Sequence, residues 1–319
     1  LLLRSTGMTN EVKLGALCWN QYADWPSLRE AGTRADELGF DSLWTWDHLY
    51  PIVGSDDGPI LEGWLTLAAW AEATEDASLG LMVGANTFRN PALVTKMATT
   101  LDHISDGRAM LGIGGAWFET EHRAYGLEFG GSPGERLQWL DEAARIMHGM
   151  LHGTKPSGDQ FYTSHEVRND PMPIQDHLPL LIGGGGERRT LRTVARYADA
   201  CNFGGGIDNV RHKDEVLRER CEEIGRDESE IERTTGTGAI IIRDTFEEAQ
   251  RVLADTFAHN GDARLWTDQP IGTPEMVAER LRPFVELGFR HLIVGFPSPY
   301  DIETMERLIG EVKPMLESV

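Results

Sequence analysis

Asp47 and His48 are the two residues whose types and position best suit chemistry, because they stand together in a short aromatic run, DSLWTWDHLYP at 41–51. Histidine exchanges protons near neutral pH, and a carboxylate can fix its tautomer. Both are therefore candidate catalytic residues. Successive residues of an extended chain face opposite ways, so Asp47 could serve the fold while His48 serves the site. The alternative is that Asp47 caps the next segment and His48 packs beneath a loop.

Three glycine-containing segments could hold a ligand, namely MVGANTFRNP at 82–91, GIGGAW at 112–117 and IGGGGERRT at 182–190. Glycine lets a backbone approach a flat ligand closely, and a run of glycines before a helix exposes N–H groups suited to a phosphate. Arg188 and Arg189 could neutralise that phosphate or be solvated helix residues. The spacing fits neither a Walker loop nor a dinucleotide fingerprint. Plain turns between strands and helices are the alternative.

Acidic and imidazole side chains follow Trp117, namely Glu119, Glu121 and His122. Such side chains ligate metals, but this set lacks a further convincing ligand, and an exposed loop explains it. We predict no metal site. Whether any of the three takes part in catalysis stays open.

An alternation of strands and helices must position these residues. Short apolar runs alternate with helix-like segments bounded by proline, asparagine and glycine signals. Strands are predicted at 12–18, within 41–51, and at 78–83, 109–113, 178–182, 199–203, 235–243 and 291–294. Helices are predicted at 25–38, 63–73, 90–104, 135–151, 187–197, 208–224, 245–258, 273–287 and 301–316. The pattern predicts one α/β domain over residues 1–319, a (β/α)8 TIM barrel with insertions after strands 2 and 4 and before strand 5.

Active sites of such barrels lie in the loops that follow the strands. The loops at 49–62, 117–133, 152–177 and 259–271 are therefore expected to build a substrate pocket. Residues 117–133 are predicted to be a long polar connection. The run FYTSHEV at 161–167 is predicted to form a small hairpin outside the main repeat.

Composition narrows the functional classes. The formal net charge of −21 repels phosphates, which disfavours nucleic acid as a partner. No apolar run approaches the length of a membrane helix, so no membrane association is expected. Three cysteines at wide spacings predict no disulfide and suit a cytoplasmic location. Residues 1–10 are expected to be a disordered or non-native extension rather than a signal peptide.

Three motifs together carry a resemblance to a known family: WDHLYP at 46–51, NTFRNPALVTKMATTLDHISDGRAMLGIGGAWFETEHRAYG at 86–126, and IGGGGERR at 182–189. They resemble the bacterial luciferase-like flavin superfamily and, more narrowly, its coenzyme F420-dependent oxidoreductases. The resemblance runs from about Val12 to Met315. It implies a barrel that binds F420, with FMN as the alternative, at the C-terminal ends of the strands, and a homodimer.

The resemblance also implies roles for individual residues. His48 would act as proton donor or acceptor at the deazaflavin ring, beside Asp47. The family's non-proline cis peptide maps to the bond between Met82 and Val83. The residues implied to border the cofactor are Trp46, Met82, Val83, Gly84, Asn86, Gly114, Gly115, Trp117, Gly183, Gly184, Gly185 and Gly186.

One departure from the family concerns Trp117. F420-dependent sugar-phosphate dehydrogenases have a catalytic glutamate at the position aligned with it, so Trp117 implies an apolar substrate wall instead. The function implied is hydride transfer between F420 and a small organic substrate. An FMN-dependent monooxygenase and a non-enzymatic cofactor-binding or carrier barrel are the alternatives.

Overall fold

Parallel strands close into a barrel surrounded by helices in the computed structural model, which describes residues 11–262 and 268–318. Residues 1–10, expected to be an extension, lie outside the described residues, and so does part of the 259–271 loop. The strands are β1 (Lys13–Cys18), β2 (Ser42–Thr45), β3 (Ser78–Leu81), β4 (Gly84–Ala85), β5 (Ala109–Gly114), β6 (Leu180–Gly183), β7 (Ala200–Gly204), β8 (Glu232–Ala239), β9 (Ile241–Ile242), β10 (Ile271–Gly272) and β11 (His291–Phe296).

Helices fill the connections between the strands. They are α1 (Trp25–Leu38), α2 (Gly63–Ala73), α3 (Pro91–Ile104), α4 (Glu119–Tyr125), α5 (Pro133–Leu151), α6 (Thr190–Tyr197), α7 (Ile207–Ile224), α8 (Phe246–His259), α9 (Pro274–Glu286), α10 (Ile302–Arg307) and α11 (Lys313–Glu317), with a 3-10 turn at Glu228–Glu230 and a π-helical turn at Leu308–Val312.

The barrel has eight strand positions, because β3 and β4 both pair with β5 and together make one interrupted strand. The order continues through β6, β7, β8 and β11 back to β1, and the β1–β11 pair closes the ring in parallel register. The (β/α)8 prediction is confirmed. β9 and β10 form a separate two-stranded pair beyond the end of β8.

Local sequence explains where the elements begin and end. Asp24 caps α1 by accepting a hydrogen bond from the Ser27 N–H, and Gly39 ends that helix with φ of 88°. Asn90 and Ser132 cap α3 and α5 in the same way, each just before a proline in the first turn. The strands of the barrel are buried on both faces, as parallel strands covered by helices require.

The structure differs from the prediction in two of the inserted segments. The stretch 117–133 was predicted to be a long polar connection, but it contains helix α4, which ends at Gly126 with φ of 68°. The hairpin predicted at 161–167 is wrong, because no strand forms there. The Glu142 carboxylate accepts hydrogen bonds from the backbone N–H groups of residues 159–162, so part of this loop bonds to a side chain instead of a partner strand.

Two general expectations can be compared with the fold. The three cysteines, Cys18, Cys201 and Cys221, are buried and free. Within residues 11–262 and 268–318, no helix has the length and apolar character needed to cross a membrane.

Candidate active site

A cavity of about 480 Å³ lies at the C-terminal ends of β2, β4, β5 and β6. This is the end of the barrel where parallel-barrel sites occur. Its walls come from the segments that follow those strands, and eleven of the twelve residues implied to border the cofactor take part. The lining residues are Trp46, Asp47, His48, Ile52, Met82, Val83, Gly84, Ala85, Gly114, Gly115, Ala116, Trp117, Glu121, Leu137, Gly183, Gly184, Gly185, Gly186, Thr190 and Asn202.

Asn86 is the implied cofactor residue that the structure places elsewhere. Its backbone N–H donates to the Gly114 carbonyl, and its side-chain carbonyl accepts from the Tyr162 hydroxyl. It lines a smaller neighbouring cavity of about 320 Å³ together with Tyr162. The hydrogen bonds to Gly114 and Tyr162 hold it on that side.

The floor of the main cavity is built around Val83. The peptide bond between Met82 and Val83 is cis, as the resemblance implied, and both residues line the cavity. A Cβ on Gly114 would lie 2.6 Å from Cγ2 of Val83, and a Cβ on Gly183 would lie 2.9 Å from its Cγ1. The strands β5 and β6 therefore need glycine where they pass the valine, which leaves a smooth floor suited to a flat ligand.

The glycine loop after β6 offers free hydrogen-bond donors. The Gly184 N–H donates to the Asn202 carbonyl, but the N–H groups of Gly185 and Gly186 have no partner in the described part of the chain. Both glycines line the cavity and lead into α6. Free N–H groups in such a loop fit an anion. A planar ring on the floor and a phosphate at this loop therefore fit the residues present.

Asp47 is buried, with 3% of its surface exposed. Its oxygens accept from the Ala85 N–H and from Nη1 of Arg89, all at 2.9 Å, and Arg89 also contacts Glu62 at 2.7 Å. Burial raises the pKa of Asp47, and the Arg89 guanidinium opposes that rise. These contacts connect the segment after β2 to β4 and to the loop that follows β4.

His48 points into the same cavity but takes its partner from α4. Its Nδ1 lies 2.9 Å from Oε1 of Glu121, whose other oxygen accepts from the Leu49 N–H at 2.8 Å. Glu121 is 1% exposed. A carboxylate at Nδ1 assigns the proton to that nitrogen. Nε2 then has no partner within residues 11–262 and 268–318 and can exchange a proton with a ligand.

Aromatic rings cover the approach to His48. The Trp117 ring centroid lies 5.6 Å from that of His48, and the Phe118 centroid lies 6.3 Å away. Trp117 is 62% exposed, so its outer face is free to meet a ligand at the mouth of the cavity.

His122 faces away from this centre. It contacts the Thr87 hydroxyl and the Phe118 carbonyl and packs against Phe88 and Phe129. No group of three or more histidine, cysteine, aspartate or glutamate side chains with the geometry to hold a metal ion occurs in residues 11–262 and 268–318.

Sequence reasoning missed two partners. Glu121 was left without a role, and Arg89 was not singled out. One signal for Glu121 was available. Glu121 and His122 are consecutive residues of helix α4, so their side chains must point in different directions, and only one of them can face His48. The pairing of each residue with β2 depends on the tertiary fold.

A family model and the most similar curated relatives that we compared point to the same family of proteins. The model of the family described as luciferase-like monooxygenase matches residues 7–269. An F420-dependent glucose-6-phosphate dehydrogenase of Intrasporangium calvum is 28% identical, over 90% of this chain and 93% of the relative. One of Kineococcus radiotolerans is also 28% identical, over 91% and 92%.

Solved structures share the fold. An F420-dependent secondary alcohol dehydrogenase in complex with an F420–acetone adduct matches with a TM-score of 0.80 at 20% identity, covering 96% of this chain and 99% of that one. A type II Baeyer–Villiger monooxygenase in complex with FMN, the oxygenating constituent of 3,6-diketocamphane monooxygenase from Pseudomonas putida, matches with a TM-score of 0.74 at 19% identity, covering 95% and 98%.

Proposed function

The chain belongs to the luciferase-like monooxygenase family, and from this premise we propose that it is a coenzyme F420-dependent oxidoreductase acting on a small organic substrate. The observation that carries the proposal is the cavity at the barrel's C-terminal end, where the glycine-lined floor and the His48–Glu121 pair meet. The F420-dependent relatives, which match over nine-tenths of the chain, support F420 over FMN.

The floor residues would hold the cofactor ring. Met82 and Val83 would lie beneath it, and Trp46 would close one side. The free N–H groups of Gly185 and Gly186 would hold the phosphate. When bound, F420 would supply or accept the hydride at C5 of its deazaflavin ring, and the protein's share is orientation and electrostatics.

His48 would manage the proton that accompanies the hydride. With its Nδ1 hydrogen bonded to Glu121, its Nε2 is free to accept a proton from a substrate hydroxyl or, once protonated, to return one. Glu121 would hold the ring in place and stabilise the imidazolium. Because Glu121 is buried, that carboxylate is less screened by water than one on the surface would be.

Trp117 would shape the substrate side. Its exposed indole at the mouth offers an apolar surface beside His48, which favours a substrate with an apolar part. Assembly as a cytoplasmic homodimer belongs to the same proposal and rests on the resemblance to the family.

Titration of the purified protein with F420, and separately with FMN, tests the cofactor through tryptophan fluorescence. Trp46 and Trp117 both line the cavity and should report on binding. We expect binding of F420 at micromolar or lower concentration and weaker binding of FMN. Preference for FMN would instead indicate a flavin-dependent monooxygenase.

The His48→Ala variant tests whether the protein is an enzyme or a carrier. Turnover of F420 is expected to fall by about 100-fold or more, the usual contribution of a general acid or base, while F420 affinity is retained. Retention of turnover in this variant would refute the role given to His48, and a wild-type protein that binds F420 but turns over no substrate would favour a cofactor carrier.

A further inference from the structure

The smaller cavity, of about 320 Å³, lies beside the loop that follows β4. Residues 86–90 of that loop line it, whereas Gly84 and Ala85, just before them, line the main cavity. Side chains from other segments complete its wall, namely Glu128, Trp139, Phe161 and Tyr162. We call it the aromatic cavity. It shares no lining residue with the main cavity in the described part of the chain, and no step of the proposed reaction uses it.

Two hydrogen-bond donors in the wall of the aromatic cavity are buried without a partner. Nδ2 of Asn86 and Nε1 of Trp139 make no hydrogen bond within residues 11–262 and 268–318. Asn86 is 3% exposed, and its other amide atom, Oδ1, accepts from the Tyr162 hydroxyl at 3.2 Å. Burial raises the pKa of Tyr162 to about 12, so the phenol keeps the proton that it donates to Asn86. Buried donors are nearly always paired in proteins, so two in one wall indicate a site for a group that accepts hydrogen bonds.

Most of the remaining wall is aromatic. The ring centroids of Trp139 and Phe161 lie 6.2 Å apart at an interplanar angle of 51°, and Phe88 and Tyr162 add two further rings. Aromatic side chains bind flat apolar groups through stacked and edge-to-face contacts. Pockets for small molecules combine such walls with a few polar groups that fix the orientation of the ligand. The aromatic cavity therefore suits a small flat molecule with a polar group at one edge.

The charges around the aromatic cavity disfavour a negatively charged ligand. Arg89, in its wall, already contacts Asp47 at 2.9 Å and Glu62 at 2.7 Å. Glu128 is exposed and has no ion pair among the residues that the structure describes. Burial would raise the pKa of Glu142, but hydrogen bonds from four backbone N–H groups of the neighbouring loop hold that pKa below its ordinary value, so this carboxylate stays ionised. An anion would therefore meet negative charge without an unpaired cation to offset it.

We propose that the aromatic cavity binds a neutral, flat molecule that carries a carbonyl group. The ring of the ligand would pack against Trp139 and Phe161. A carbonyl oxygen has two lone pairs, so it can accept from both Nδ2 of Asn86 and Nε1 of Trp139. The proposal goes beyond the proposed function and does not depend on which cofactor the main cavity binds. Because Arg89 lines the aromatic cavity and holds Asp47, the ligand would contact the loop that positions Asp47.

Three probes of similar size test the site. Acetophenone has a ring and a carbonyl group, ethylbenzene has the ring without an acceptor, and benzoate carries a negative charge. Binding is followed through the indole N–H signal of Trp139 in nitrogen–proton NMR spectra, which is identified by its loss in Trp139→Phe. We expect acetophenone to shift this signal downfield, as a new hydrogen bond does. Acetophenone should bind about 10-fold more tightly than either ethylbenzene or benzoate.

The Trp139→Phe variant keeps an aromatic ring in the wall and removes one donor. Its affinity for acetophenone, measured by observing the signals of the probe, should fall by about 5-fold. Its affinity for ethylbenzene should change little, because ethylbenzene does not use the donor. Trp25→Phe is the matched control, since Trp25 begins α1 and does not line the aromatic cavity. It should bind all three probes as the wild-type protein does.

Several outcomes would overturn the proposal. Equal affinity of the wild-type protein for acetophenone and ethylbenzene would show that the two donors contribute nothing. If acetophenone leaves the Trp139 signal unmoved, or does not bind, ordered water is the partner of these donors. Benzoate binding as tightly as acetophenone would refute the argument from charge. Acetophenone should also stay bound when F420 is added, and its displacement by F420 would place the probe in the main cavity.

Discussion

Replacement of Glu121 by glutamine is the most informative single change, because it keeps the shape of the side chain and alters only its donors and acceptors. In the native site, one oxygen of Glu121 faces Nδ1 of His48 at 2.9 Å and the other faces the Leu49 N–H at 2.8 Å. A glutamine has one oxygen and one NH2 group for these two positions. The Leu49 N–H can only donate, so the amide oxygen must turn toward it.

The NH2 group then faces Nδ1 of His48, which must become an acceptor. The proton of the neutral ring moves to Nε2, the nitrogen that faces the cavity. A histidine in that tautomer cannot accept a proton from a substrate. The opposite orientation of the amide would leave the partly buried Leu49 N–H facing another donor, at a cost of about 1–3 kcal/mol, so it is disfavoured.

The expected magnitudes follow from these bonds. A hydrogen bond to a charged group contributes about 1.5–3 kcal/mol and a neutral one about 0.5–1.5, so Glu121→Gln should lower the free energy of unfolding by about 1 kcal/mol. Turnover should fall much further, by about 100-fold or more, because the proton-transfer step loses its acceptor. Affinity for F420 should change little, since Glu121 makes its contacts with His48 and Leu49.

Nitrogen NMR of the histidine side chains identifies the tautomer of His48. Steady-state kinetics measure the turnover rate, and urea unfolding measures the free energy of unfolding. Glu119→Gln is the control, because Glu119 lies in the same first turn of α4 but is exposed. It should leave all three measurements near the wild-type values. Wild-type turnover in Glu121→Gln, with the proton still on Nδ1, would refute the role given to this pair.

Two further outcomes are expected. Gly114→Ala places a Cβ 2.6 Å from Val83, about 0.8 Å inside the 3.4 Å at which ordinary contact begins. The substitution should therefore destabilise the fold by about 1–3 kcal/mol and weaken F420 binding. Unchanged F420 affinity would contradict the cavity floor described above. Burial alone would raise the pKa of Glu232, but contacts with His291 and Lys13 lower that pKa from 4.5 to about 2. The ionised carboxylate therefore stabilises the fold above pH 4.5, and this stabilisation is lost as the pH falls toward 2. Between pH 4.5 and pH 2, the free energy of unfolding should fall by about 1–2 kcal/mol less in Glu232→Gln than in the wild type. Parallel plots of that free energy against pH for the two proteins would contradict this.

Most elements of the fold could be predicted because their signals are local. The helices α1 and α2 begin and end where proline, glycine and apolar spacing indicate, and the βα period alone predicts the barrel. The interrupted strand β3–β4 was predicted to be continuous through Val83. The residue pattern does not show this interruption, and only the resemblance indicated an irregularity there, through the cis peptide at Met82–Val83. The interruption reflects how Val83 is placed against the glycines of β5 and β6.

The partners within the site could not be predicted, because they join distant parts of the chain. His48 and Glu121 are separated by 73 positions, and Asp47 and Arg89 by 42. The error at 161–167 has the same origin. Its alternating residues suit a strand, but the N–H groups just before and within it are bonded by a carboxylate on α5, and propensity does not reveal such a competitor.

Asp47 and His48 are adjacent in the segment that follows β2, but their side chains are held by partners on different elements of the barrel. Asp47 is held by the Ala85 N–H in β4 and by Arg89 in the loop that follows it, whereas His48 is held by Glu121 on α4, after β5. The position of the histidine therefore depends on three consecutive βα units being closed against one another. An isolated segment containing the 41–51 run would not hold the site. A barrel in which either anchor is cut should keep its fold yet lose the fixed orientation that proton transfer requires.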